Sequence, residues 1–579
     1  MNLKNIIIVG GGTAGWLSAL FLKNAFNNLN ITVIESEEID VLGVGEGGIP
    51  IILKCFNDCN IDLKELFKET KATIKLGVKF KNWNADEDYY HPFPGNFLKI
   101  NEIEWPDVNE GEVEDVYDEE TGEKIVHEYD TNKQKEREDF YKMLKISFMN
   151  RVFNDETVDF LDYANVYPLD DTIPDFDIET IINKIGEYNN TGISIHFDSV
   201  LLGNYLKKIC IERGVNYIQD TVFDVVKTEE EFVEKVITKN MDEYECDLVM
   251  DCSGQSRVIT STFSDYDIWP FPFLTVNSAL TFSLPVDENL SCWTEAIAMN
   301  YGWVWKIPLQ NRIGVGYVFD DRYLDFEYAK IELQTYFGQE IEVQKEISFL
   351  PGYVDKPWNR NCVAIGMSQS FVEPLEATAI GASVLQLMKL VDLLKSVAIS
   401  SEEGISDVKS LSDIYLDEEL YFLKQLEYNE ETNNQAREIA DFLLLHYYTN
   451  RDDTDFWELR KELFEFKDSI EEKESESDGI EETMTFKMMI WKKHPIFYNK
   501  NTSMIFFNEF NFMCIFDGLK IYDKAERNKL LEAEEQVVLN FCSDQNYADL
   551  KEHYKLQKET FFKNSLKQLD YLRKYELLA

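Results

Sequence analysis

Residues 5–26, NIIIVGGGTAGWLSALFLKNAF, constrain the fold more than any other part of the chain. An apolar run meets three successive glycines, and apolar residues then recur at helical spacing through Leu17, Leu20, Phe21 and Phe26. NITVIES follows as a second strand, so the segment predicts a βαβ unit. The glycines fall as Gly10-x-Gly12-x-x-Gly15. In such a turn Gly10 permits the tight bend, Gly12 lets backbone approach a pyrophosphate, and Gly15 lets helix and strand pack closely. Thr13 and Ala14 then open the helix, whose N–H groups favour an anion. Glu35 ends the second strand and is placed to accept from a ribose hydroxyl. An adenine dinucleotide without a 2′-phosphate is the expected ligand.

Bulk properties narrow the class. The chain has 579 residues, enough for several domain-sized units, and 44% hydrophobic residues to fill their cores. Its 57 basic and 107 acidic residues leave a net charge of −50, which repels phosphate backbones and argues against nucleic-acid binding. No run of roughly 18 apolar residues argues for a membrane span, and the N-terminus lacks a signal-peptide layout. A cytoplasmic enzyme with reduced, buried thiols is expected, since nine scattered cysteines and six histidines form no metal-ligand spacing. Residues 101–140 hold sixteen acids and four bases and read as a surface insertion. Residues 270–350 read as β-rich, and the chain beyond Glu373 as mostly helical.

Two later segments resemble parts of FAD-dependent monooxygenase-like folds. DLVMDCSGQ (247–255) has the form of a late strand and turn, and NCVAIGMSQSFVEPLEATAIGAS (361–383), with Gly366, that of the closing strand-to-helix turn beside a flavin. The expected fold is therefore α/β, an FAD-binding Rossmann-like core with an additional β-sheet. Residues 1–390 would form it, and residues 391–579 a mostly helical substrate-side module.

Seven ordered segments carry a closer resemblance: IIIVGGGTAGW (6–16), GVGEGGIP (43–50), ATIKLGVKFKNW (72–83), HFD (196–198), AMNYGWVWKIPL (298–309), FVEPLEATA (371–379) and RDDTDFW (451–457). Together they resemble the flavin-dependent tryptophan halogenase family. The resemblance implies that FADH2, made by a separate flavin reductase, and oxygen convert a bound halide (chloride, bromide or iodide) to hypohalous acid. That oxidant crosses to a lysine and halogenates an electron-rich aromatic ring with the help of a glutamate. A monomer or homodimer is implied. The competing enzyme reading is a flavin monooxygenase that hydroxylates, and a third is a catalytically silent binding protein.

Several residues take roles by that resemblance. Lys75, Lys79 and Lys81 alternate with apolar residues and share one face of a half-buried strand, so periodicity does not choose among them. The resemblance points to Lys75, with Lys79 next. It makes Glu376 the catalytic carboxylate, with Glu373 as the weaker alternative; Pro374 suits a helix opening, where a carboxylate is also favoured by the helix dipole. Thr378 and Ala379 would give backbone N–H groups to the halide, with Ala379 standing where glycine is usual. His91, Phe93, Phe507 and Asn511 would face the substrate. Phe507 stands where regioselective members carry tryptophan, and the polar groups that hold free tryptophan lack convincing counterparts. A less decorated indole or phenol is therefore expected. Trp303 and Trp305, on one face of a strand, would separate the flavin chamber from the substrate chamber.

Overall fold

The computed structural model describes residues 2–38, 43, 45–84, 88–93, 151, 172–174, 192–286, 289–399, 414–463, 507, 509–521, 544–563 and 565–579. The 101–140 insertion lies outside them.

The expected βαβ unit is present, its element ends within two residues of the expected ones. Strand Asn5–Val9 leads into helix Thr13–Ala25 and returns as strand Asn30–Glu35. These strands lie in a six-stranded sheet ordered Asn216–Gln219, Asn30–Glu35, Asn5–Val9, Leu248–Asp251, Cys362–Ala364, Trp358–Asn359. All neighbours pair in parallel except the last two. The chain leaves Asn5–Val9 to one side first and adds Leu248–Asp251 on the other later. That makes the carboxyl end of Asn5–Val9 a topological switch point, where such sheets open a crevice for ligands. Helix Thr13–Ala25 covers the sheet and packs on helices Ser199–Glu212 and Thr378–Val397. Ile6, Ile8, Trp16, Leu17 and Leu20 are buried at this junction.

Residues 270–350 supply most of a seven-stranded sheet: Lys345–Ser348, Ser278–Leu284, Ile313–Phe319, Gly302–Pro308, Trp293–Ala298, Gly77–Lys81, Tyr89–Pro92. They also contain helix Phe326–Phe337, closed by Gly338. Beyond Glu373 the described elements are mainly helices, including Thr378–Val397, Glu418–His446 and Glu509–Gly518. One stretch, Leu375–Val397, is long and apolar enough to cross a bilayer, but 67% of that window is buried in the protein, so core packing accounts for its composition. The eight described cysteines are buried.

The lysine segment departs from the expected single strand. It breaks at Leu76 into Thr73–Lys75 and Gly77–Lys81. The first half joins a three-stranded arm with Ser194–Phe197 and Glu46–Gly47, and the second joins the seven-stranded sheet. Gly77 makes the break: its φ is +151°, and a Cβ there would strike the His91 carbonyl oxygen and the Trp293 ring.

Candidate active site

The break decides between the lysines: Lys79 and Lys81 share a face of one strand, and Lys75 lies on another strand in another sheet. Lys75 is completely buried. Lys79 and Lys81 keep side-chain exposures of 25% and 27% and pair with Asp88 and Glu295. Lys75 Nζ donates to the Gly48 carbonyl oxygen at 3.1 Å and lies 5.1 Å from the centre of the Phe93 ring. Burial pulls its amine down to about 8, against the charge of Glu376, which raises it.

Glu376 sits just before a helix rather than in its first turn. The helix begins at Thr378, and Glu376 (φ +63°) and Ala377 (φ +54°) are both left-handed. The helix dipole thus does not place this carboxylate in the way the sequence suggested. Two histidines hold it instead. His91 Nδ1 lies 2.7 Å and His446 Nε2 2.9 Å from Glu376 Oε1. His91 Nε2 accepts from Asn511 Nδ2 at 2.9 Å, so the His91 hydrogen points at the carboxylate. His446 Nδ1 faces the Phe442 carbonyl at 2.8 Å. Burial alone would push the Glu376 carboxyl up, but His91 and His446 outweigh it and hold it at about 2.

Glu373, the other glutamate in the segment, faces different partners. It accepts from Tyr447 Oη at 2.9 Å, and burial pushes it up to about 7 against that bond and the Arg460 charge. The two glutamates of one short segment thus differ by several units in acidity through surroundings alone.

Phe507 stacks on Phe442 with ring centres 3.7 Å apart, and Phe512 meets Phe442 edge-on. Asn511, Phe507, His91 and Phe93 are thus brought to the Lys75–Glu376 region. Trp303 and Trp305 lie on Gly302–Pro308, buried with ring centres 6.1 Å apart. Gly316, the cross-strand partner of Trp305, leaves room for its ring. Both tryptophans pack in one cluster with Val372 and Leu375, which flank the glutamates, and with Phe442 and Phe507.

The crevice at the switch point fits a flavin dinucleotide. Gly10 has φ +116°, and a Cβ on it would strike the Cys252 carbonyl, while a Cβ on Gly15 would strike the Gly10 oxygen. Gly12 has nothing within 4 Å of where its Cβ would be, which leaves an open approach to the backbone. It caps helix Thr13–Ala25 without a side-chain bond, so Thr13 and Ala14 leave the first-turn N–H groups available. Glu35 Oε2 pairs with Lys207 at 2.7 Å, an ion pair that orients the carboxylate. A Cβ on Gly366 (φ +66°) would lie 3.0 Å from Ala14 Cβ on this helix and 3.2 Å from Ser383 Oγ. Thr378 and Ala379 begin the long helix; Ala379 is exposed and the preceding Ala377 offers no side-chain cap.

Some residues of the site escaped the sequence reading. His446 stands five residues before RDDTDFW, and its burial on the Glu376 side is the missing signal. His196 lies within the quoted HFD but carried no role. Gln568 accepts from Ile74 N at 2.9 Å and donates to Ile74 O at 3.1 Å, pinning the lysine strand from nearly five hundred residues away.

Several known proteins are similar to this chain. Relatives include the 7-chloro-L-tryptophan 6-halogenase KtzR of Kutzneria sp. (strain 744), 30% identical over 65% of this chain and 70% of that one. The tryptophan 7-halogenase RebH of Lentzea aerocolonigenes is 27% identical over 91% and 92%. Among solved structures, the flavin-dependent halogenase BrvH of Brevundimonas sp. BAL3 superposes with a TM-score of 0.70 at 22% identity, covering 100% of this chain and 99% of its own. The description of the matching family, tryptophan halogenase, covers residues 5–148 and 178–535, and the chain belongs to that family of flavin-dependent halogenases.

Proposed function

We propose that Lys75 carries the oxidant in this halogenase and that Glu376 serves the ring it attacks. The observation that carries the reading is a fully buried lysine close enough to feel the charge of a buried carboxylate gripped by two histidines. Gly10, Gly12, Thr13, Ala14, Gly15, Glu35 and Gly366 would hold the dinucleotide. Bound there, reduced FAD with oxygen supplies the two-electron oxidation of halide to hypohalous acid. A separate reductase provides the reduced flavin, as such halogenases generally require. The first-turn N–H groups of Thr378 and Ala379 hold the halide without a charged side chain.

Trp303 and Trp305 block an organic substrate from the flavin and leave passage to a small oxidant. The ammonium of Lys75 uses one hydrogen on Gly48 and offers the others to hypohalous acid. As the ring carbon attacks the halogen, the carbon–halogen bond forms and the oxygen–halogen bond breaks. The departing hydroxide takes a proton from Lys75 and leaves as water. Glu376 stabilises the cationic ring and receives its proton, which then returns to Lys75. A carboxylate held at about 2 is a weak base, yet a cationic ring is a strong enough acid for it.

The substrate we infer is an indole or phenol rather than free tryptophan. His91 commits both nitrogens to Glu376 and Asn511, so only its ring face is left for the substrate. The Phe507–Phe442 stack adds an apolar wall.

The test supplies FADH2 through a reductase with oxygen, one halide at a time, and a panel of indoles and phenols, read by mass spectrometry. Halogenated product is expected. Hydroxylated product without halide rejects the reading, and a Lys75→Ala variant halogenating at the normal rate rejects the lysine's role.

A further inference from the structure

Strand Thr73–Lys75 runs antiparallel to Ser194–Phe197, with Thr73 opposite His196 and Lys75 opposite Ser194. Alternation puts these four polar side chains on one face, with directly opposed Cβ atoms about 5 Å apart. All four residues are completely buried. Buried polar groups need partners, so each can be traced.

Thr73 Oγ1 has one hydrogen and donates it to the Pro308 carbonyl oxygen at 2.7 Å. It therefore accepts from His196 Nδ1 at 3.2 Å, which puts the imidazole hydrogen on Nδ1. His196 Nε2 then accepts from Thr294 Oγ1 at 2.9 Å. Burial, then the nearby Lys75 charge, holds this ring neutral, well below the usual histidine range. Lys75 donates to Gly48. Ser194 Oγ is left over, buried and without a partner among the described residues.

Two adjacent glycines explain where that hydroxyl faces. A Cβ on Gly47 would lie 2.8 Å from Lys75 Nζ, and one on Gly48 2.9 Å from Ser194 Oγ. The amine and the hydroxyl thus border the same bare stretch of backbone. Lysine offers only donors, whereas hypohalous acid carries a hydrogen that needs an acceptor as well as an oxygen that accepts. We propose that Ser194 is the second binding group for hypohalous acid at Lys75, its Oγ accepting the acid's O–H while Lys75 donates to the acid's oxygen. The proposal rests on Lys75 being the carrier.

Ser194→Ala, made in the full chain beside Lys75→Ala, tests it. Flavin oxidation, halogenated product, hypohalous acid escaping to a soluble β-diketone trap, and thermal unfolding are measured together. For Ser194→Ala, flavin oxidation should be unchanged. Product per flavin oxidised should fall about 3- to 10-fold, the range for one lost hydrogen bond. Trapped oxidant should rise, and the melting temperature should hold or increase, because an unpartnered buried hydroxyl is removed. Ser194→Gly should give the same partition, which separates the hydroxyl from side-chain size. An unchanged partition between product and trap overturns the proposal while leaving Lys75 standing. A lowered melting temperature with unchanged partition overturns it too, by assigning the hydroxyl a structural bond. If Lys75→Ala itself halogenates normally, the lysine reading has failed and this one falls with it.

Discussion

At the scale of single residues, the site works by setting acidities apart. The Lys75 amine stands at about 8 and the Glu376 carboxyl at about 2, so both are charged at neutral pH. Halogenation that needs the ammonium should decline as pH rises through about 8, while flavin oxidation continues. The Glu376 charge raises the lysine, so Glu376→Gln should move any remaining alkaline limb to lower pH; pH profiles of product per flavin oxidised check this. The histidines act on the other side. His446→Asn removes an influence that keeps Glu376 low, so the acidic limb of halogenation should move up toward the ordinary carboxylate range. Stability follows the same signs. Glu376 is more acidic folded than unfolded, so its contribution is present above about 4.5 and is lost as pH falls toward 2.

At the scale of elements, local pattern and backbone geometry part company. The βαβ unit was legible because apolar runs, helical spacing and glycines between residues 5 and 35 all act locally. The Trp303–Trp305 strand was legible for the same reason, since period-2 alternation states which side chains share a face. The lysine segment was not, because its alternation continues across Leu76 while the backbone changes sheets there. What forces the turn is Gly77 packing against His91 and Trp293, contacts that no local pattern contains. Glu376 was misjudged similarly: Pro374 suggests a helix opening, and the left-handed pair Glu376–Ala377 postpones it to Thr378. Left-handed backbone is costly for a residue with a Cβ. Ala377→Gly should therefore stabilise the protein by up to about 1 kcal/mol in denaturant unfolding, offset in part by the entropy of an added glycine. Its halogenation should persist, because glycine keeps the left-handed backbone of that kink.

At the scale of the whole molecule, the arm carrying Lys75 is assembled from distant pieces. Gly48 receives the lysine hydrogen, His196 braces Thr73, and Gln568 closes both backbone groups of Ile74 while also donating to Ser291 O at 2.7 Å. Contacts of such separation leave no trace in spacing or composition, which is why Gln568 could not be found beforehand. Gln568→Ala should cost about 1–3 kcal/mol by stripping partners from buried backbone. It should also lower product per flavin oxidised while flavin oxidation persists, since the dinucleotide crevice is built elsewhere. Denaturant unfolding and the product ratio check the two halves of that expectation.

The burial of Lys75 reaches further than its chemistry. Its amine ionises near 8 folded but near 10.5 when free, so the folded protein gains stability as pH climbs between those values. Read at pH 7, the difference is a penalty on the order of 3 kcal/mol. Lys75→Met, which keeps the bulk and discards the charge, should melt at a higher temperature and make no halogenated product. A variant library ranked only by heat tolerance would therefore enrich broken enzymes at position 75, and any breeding scheme for a robust biocatalyst from this scaffold has to score turnover in the same round.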